Sequence, residues 1–179
     1  PTLLAEGLKA IEDRNFDEHR GFSITGILRA LVVNIRAGAA RQGGSTLTQQ
    51  LVKSYFLTNE RTLQRKLREL AMAVILELRF NNEDLLTAYV NEIFLGQNGA
   101  RAIHGFGLGA QFYFNKPINE LDVAEIATLI SIIRGPSYYN PFRHPERALS
   151  RRNRILDTFY SDGLINAAAH GKAKAQALD

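Results

Sequence analysis

Cysteine is absent from the chain, so neither a disulfide framework nor a thiolate metal site can form, and the redox compartment is left open. No apolar run approaches the roughly 18 to 20 residues that span a bilayer. No signal-like segment follows Pro1, so the chain is expected to be soluble or a piece of something larger. Strand-like alternation is nearly absent, and no internal repeat of solenoid-like period is visible.

What is present fits one irregular all-helical domain. With 179 residues and 45% hydrophobic content, the chain can bury one core, with room for a small lobe. Apolar residues recur at helical spacing in Ile24, Ile27, Leu28, Leu31, Val32 and Ile35, in Leu63, Leu67, Leu70, Val74 and Leu78, and in Leu85, Leu86, Tyr89, Val90 and Ile93. Residues 121–133 are apolar on almost every side, which predicts a central buried helix stopped by Arg134, Gly135 and Pro136. Pro145 suits the first turn of another helix, and the Ala/Lys/Gly-rich residues 166–179 read as a frayed tail or linker. A net charge of +4 and a pI near 9.5 favour anionic partners, whether nucleic acid, a membrane surface or a phosphorylated substrate.

Three constellations carry chemistry. Glu12, Asp13, Arg14 and Phe16, with His19 and Gly21 beyond, stand where a helix runs out beside apolar residues. A partly dry cleft there suits a general base, and a solvated helix end is the plainer alternative. In Gln42-Gly43-Gly44-Ser45-Thr46, two glycines allow a tight turn, and Thr46 with Gln49 has the form of a capping box opening a helix. Free amides at that helix start favour an anion, and Gln49, Gln50 and Lys53 follow closely; the plainer alternative is a capped turn. Arg61, Arg65 and Glu69 fall four residues apart on one helical stripe, with Lys66 beside them. The bases precede the acid and crowd the end where the helix dipole prefers acids, which suits either an anion site or a solvated face. His104, His144 and His170 lack zinc-site spacing and read as structural or surface residues.

Taken together these residues resemble the peptidoglycan glycosyltransferase family, found as single-domain enzymes or as the polymerising half of class A penicillin-binding proteins. The pattern E-D-x-x-F-x-x-H-x-G is met by Glu12, Asp13, Phe16, His19 and Gly21, and G-G-S-T-x-T-Q-Q by residues 43–50, with Lys53 three residues on. R-K-x-x-E is met by Arg65, Lys66 and Glu69, and Y-x-N-E-x-x-x-G by Tyr89, Asn91, Glu92 and Gly96. One departure is Asn115, where the family has glycine in Y-F-G-K; asparagine also tolerates a positive φ.

The resemblance implies a lysozyme-like helical lobe over residues 1–165 and a smaller mobile, membrane-apposed jaw near residues 22–41. It implies polymerisation of lipid II into β-1,4 glycan, with inversion and release of undecaprenyl pyrophosphate, at the outer face of a bacterial cell membrane. Glu12 is then the general base, and Glu69 orients the basic residues. Asp13, Arg14, Phe16, His19, Ser45, Thr46, Gln49, Gln50, Lys53, Arg61, Arg65, Lys66 and Asn91 bind substrate. A divalent cation, magnesium or manganese, is left open beside the pyrophosphate, as are a fused transpeptidase domain and other cell-wall synthesis proteins as partners. Two rivals stand beside it. A lysozyme-like glycan hydrolase also uses paired carboxylates but needs no phosphate-binding stripe. A basic helical nucleic-acid module would explain the charge, yet no recognition helix stands out.

Overall fold

The computed structural model describes residues 1–18, 45–56 and 62–178. The expected jaw at residues 22–41, the helical period from Ile24 to Ile35, and the site candidates His19 and Arg61 lie outside the described residues. The described elements are α1 (Thr2–Glu12), α2 (Leu47–Phe56), α3 (Leu63–Arg79), α4 (Asn82–Glu92), β1 (Phe94–Asn98), β2 (Arg101–His104) and α5 (Phe106–Phe114). A 3₁₀ turn (Ile118–Glu120), α6 (Val123–Ile133), α7 (Pro145–Ser161) and α8 (Ala167–Ala175) complete them. The expected all-α class holds, with one small hairpin added. The chain divides into two compact units, Pro1–Ile11 with Val90–Asp179, and Glu12–Tyr89.

In the first unit α6 is the buried centre, and every residue from Ala124 to Ile132 is buried, as its largely apolar composition favours. Its polar groups are paired within the fold. Asp122 and Glu125 form a reciprocal capping box, Lys116 Nζ donates to Glu125 Oε1 at 2.6 Å, and the Thr128 and Ser131 hydroxyls donate to carbonyls one turn back. The α7 helix starts at Pro145 and lays Ala148, Arg152, Ile155, Leu156 and Phe159 into the core. The left-handed Asn115 (φ 52°) ends α5, so asparagine does adopt the conformation usually left to glycine.

The α1 helix reaches this core through a close approach at Gly7, where a Cβ would stand 2.6 Å from Phe159 Cζ and 3.2 Å from Ile130 Cδ1. Phe159 is fully buried and cannot swing aside. Gly7→Ala is therefore expected to lower stability. Overpacking costs about 1–3 kcal/mol, against about 1 kcal/mol of helix propensity gained. Urea denaturation would show the midpoint fall; a rise would mean that the core yields there.

Two features depart from the sequence reading. A β1–β2 antiparallel hairpin pairs Asn98 with Arg101 across a two-residue turn that opens on Gly99 at φ 59°. The strands are too short and mixed to show alternation. The frayed tail is also corrected, because Asn166 caps α8 through Ala169 N and Ala173 is buried. The fully buried Arg152 donates to the carbonyls of Gln176 (2.8 Å) and Lys174 (3.3 Å), while Asp157 accepts from Lys174 and pairs with His170. A cation beneath the last carbonyls of α8 supplies the order that its Ala/Lys/Gly composition does not foretell.

In the second unit α2 packs on α3. The apolar period of α3 predicts a helix but not its inward face. Leu63, Leu67, Ile75 and Leu78 are exposed, whereas Glu69 and Ala73, one turn apart, are buried. The buried stripe of this helix thus carries an acid.

Candidate active site

The α1 helix terminates at Glu12, and the chain continues into a turn in which Phe16 is buried and its carbonyl accepts from Asn82 Nδ2 at 3.0 Å. Asp13 leads to the next helix: its Oδ2 accepts the Leu47 amide at 3.2 Å, so it caps the start of α2. Thr46 Oγ1 accepts the Gln49 amide, the first half of the expected capping box. With α2 anchored at both points, Gln50 Nε2 donates to Glu12 Oε2 at 3.0 Å. The other carboxylate oxygen of Glu12 has no partner among the described residues, and the side chain is half-buried. Tyr89 closes the arrangement from α4, fully buried, with its hydroxyl donating to Gln50 Oε1 at 3.0 Å. Burial, and secondarily the negative charge of Glu12, push the Tyr89 phenol well above its ordinary pKa, so it keeps its proton.

The second carboxylate has a different environment. Glu69 is 2% exposed, and each of its oxygens meets a cation: Oε2 accepts from Arg65 Nη1 at 2.8 Å, and Oε1 is ion-paired with Lys66 Nζ. The four-residue spacing of Arg65 and Glu69 makes the first pair; Thr62, which caps α3 through the Arg65 amide, fixes the helix start. Lys66 Nζ also donates to Ser45 Oγ at 3.0 Å and reaches Gln49 Oε1 at 3.5 Å. Arg65 Nε is buried without a hydrogen-bond partner among the described residues. Two adjacent glutamines on α2 therefore tie the carboxylates into one site: Gln50 to Glu12, and Gln49 through Lys66 to Glu69.

Of the residues expected from sequence, Glu12, Asp13, Ser45, Thr46, Gln49, Gln50, Arg65, Lys66 and Glu69 are joined by these contacts. Lys53 is exposed and follows Gln49 and Gln50 at helical spacing, which puts it on their face of α2. Arg14 is exposed in the turn after Glu12. Asn91 is exposed and belongs to the other unit. Tyr89 stands in the sequence as a motif residue on the apolar period of α4, and its polar contact with Gln50 is an addition from the structure. Among the described residues no group of three or more metal-ligating side chains occurs, and both oxygens of Glu69 are already neutralised by bases.

A mostly helical chain in which one carboxylate has an oxygen without a partner among the described residues and another is neutralised by two cations, at the ends of the motifs read above, has the equipment of a glycosyl-transferring domain. The family model described as Transglycosylase matches residues 1–160, and the chain belongs to that family, the peptidoglycan glycosyltransferases that the motifs resemble. It is 48% identical to penicillin-binding protein 1B of Vibrio cholerae over 179 residues, all of this chain and 23% of that protein. Against penicillin-binding protein 1B of Haemophilus influenzae it is 53% identical over 156 residues, 87% of this chain and 20% of the relative. Its fold matches the crystal structure of penicillin-binding protein 1A from Haemophilus influenzae with a TM-score of 0.51 at 25% identity, covering 74% of this chain and 16% of that one. The chain thus spans about a fifth to a quarter of the length of these curated relatives.

Proposed function

We propose that this chain polymerises lipid II into β-1,4-linked glycan, with inversion at the donor anomeric carbon and release of undecaprenyl pyrophosphate. The reading rests on the contrast between the two carboxylates. Glu12 has one oxygen held by a neutral amide and the other without a partner among the described residues, as a proton acceptor needs, while Glu69 is committed to Arg65 and Lys66. An acid held between two bases is not free to serve as the second carboxylate of a hydrolase, which favours the transferase over the lysozyme-like alternative.

In this reading the acceptor 4-hydroxyl loses its proton to Glu12 as its oxygen attacks the donor anomeric carbon, and the bond to pyrophosphate breaks. The leaving group gains negative charge, which fixed cations stabilise without reorganising. Lys53, Arg65 and Lys66 supply that charge, with Arg61 as a further candidate, and Glu69 holds Arg65 and Lys66 in place. Arg14 and Gln49 position sugar or phosphate oxygens, while Gln50 holds Glu12. The work is proposed at the outer face of a bacterial membrane, with a transpeptidase domain and other cell-wall synthesis proteins as companions in the full-length protein. Among the described residues no helix is long and apolar enough to cross a membrane.

Lys53→Ala tests the cationic half. An exposed lysine contributes within about 0.5 kcal/mol to folding. A charged contact to the transition state is worth about 1.5–3 kcal/mol, or about 10- to 100-fold in rate. Unchanged thermal unfolding with turnover reduced by that factor is the expected result, measured as polymer formed from labelled lipid II. Undiminished polymerisation would remove Lys53 from the site.

A further inference from the structure

We propose that Tyr89 is a positioning residue for the general base, acting through Gln50: its hydroxyl fixes the amide orientation that presents Nε2 to Glu12. The inference rests on the glycosyltransferase reading above and adds a residue to it. The Gln50 side chain has two chemically distinct ends, and its two neighbours make different demands. Glu12, ionised, can only accept, so it requires Nε2. The Tyr89 hydroxyl can donate or accept, but it is fully buried on α4, and the Gln50 oxygen 3.0 Å away is its acceptor. Turning the amide over would press Oε1 against the carboxylate and leave the buried phenol without an acceptor for its proton.

Both penalties point the same way, and stranding a buried donor is by itself costly. The Ser45 carbonyl, 3.5 Å from Nε2, adds a third vote for the same orientation. The phenol remains protonated because burial and the Glu12 charge oppose its ionisation. Tyr89, Gln50 and Glu12 thus form a directed relay: O–H to amide oxygen, amide N–H to Oε2. Donation into the amide oxygen also polarises the N–H that holds Glu12. The outcome is a carboxylate pinned by one oxygen, with the other left to receive the acceptor proton. Tyr89 touches neither substrate nor the reacting atoms in this scheme, so its influence must pass through Gln50.

A double-mutant cycle on the full chain tests this, using Tyr89→Phe, Gln50→Ala and the pair, with labelled lipid II as substrate. Tyr89→Phe is expected to lower kcat about tenfold, the effect of one misdirected hydrogen bond, with KM for lipid II unchanged. In the Gln50→Ala background the same change should alter kcat less than twofold, because the relay is already cut. An equal loss in both backgrounds, or no loss in either, overturns the proposal. Should Tyr89→Phe fail to fold, Gln50→Ala alone still decides: a wild-type kcat in that variant overturns it, and a loss of about tenfold or more at unchanged KM supports it. Glu12→Gln run in parallel separates the two levels. If it polymerises normally, the catalytic reading has failed, whereas an inactive Glu12→Gln beside an additive cycle condemns the relay alone.

Discussion

Glu12→Gln is expected to lower polymerisation by about 10²- to 10⁴-fold while lipid II still binds. The substitution keeps the shape of the side chain and an oxygen able to accept from Gln50 Nε2, 3.0 Å away in the native site. What it removes is the proton acceptor. Affinity and chemistry should therefore separate, with KM nearly unchanged and kcat collapsed. Because Glu12 is half-buried and holds one hydrogen bond to a neutral amide, the unfolding temperature should change little. Weakened binding in proportion to the lost turnover would instead mark Glu12 as a substrate ligand.

Glu69→Gln is expected to act on both folding and function. Glu69 is 2% exposed and compensates Arg65 and Lys66, whose side chains are 14% and 34% exposed. Removing the charge leaves two cations facing each other with a neutral amide between them. Breaking a buried pair costs about 3–5 kcal/mol, and water reaching Lys66 should hold the loss near the lower figure. Lys66 would also loosen its hold on Ser45 and Gln49, at the start of the helix that carries Gln50. Donor binding and turnover should both fall, and urea denaturation should register the destabilisation. Wild-type stability together with wild-type KM would show that the cluster is merely a surface ion pair.

These two acids were visible in the sequence to different degrees. The four-residue step from Arg65 to Glu69 was enough to put them on one stripe, because helical geometry alone brings such residues together. Nothing local could announce that this stripe faces inward, since Leu63, Leu67 and Leu78 follow a helical period of their own and yet are exposed. The bonds from Gln50 to Glu12 and from Lys66 to Ser45 join residues 38 and 21 positions apart, and such contacts are decided by packing between helices. Motif resemblance grouped these residues without supplying their contacts, and Tyr89 shows the difference, as its ring fits the apolar period of α4 while its hydroxyl serves Gln50.

The fold was legible where composition was extreme or a residue type was constrained. An apolar stretch such as residues 121–133 has no solvated face to offer, and it became the buried centre. Asn115 was readable because few residues accept a positive φ. The β1–β2 hairpin is not legible in the sequence although Gly99 opens its turn, because five- and four-residue strands give too few alternations to register. Order in α8 depends on Arg152, which is fully buried and lies 22 and 24 positions before the carbonyls it holds, so the tail's own composition pointed the wrong way.

The most direct measurement incubates the chain with radiolabelled lipid II and divides each product between untreated and muramidase-digested samples. The expected result is high-molecular-weight glycan that forms with wild-type protein, is absent with Glu12→Gln, and is cut by muramidase to disaccharide fragments. Lipid II left intact by folded wild-type protein, or preformed glycan hydrolysed with no polymer made, would contradict the account.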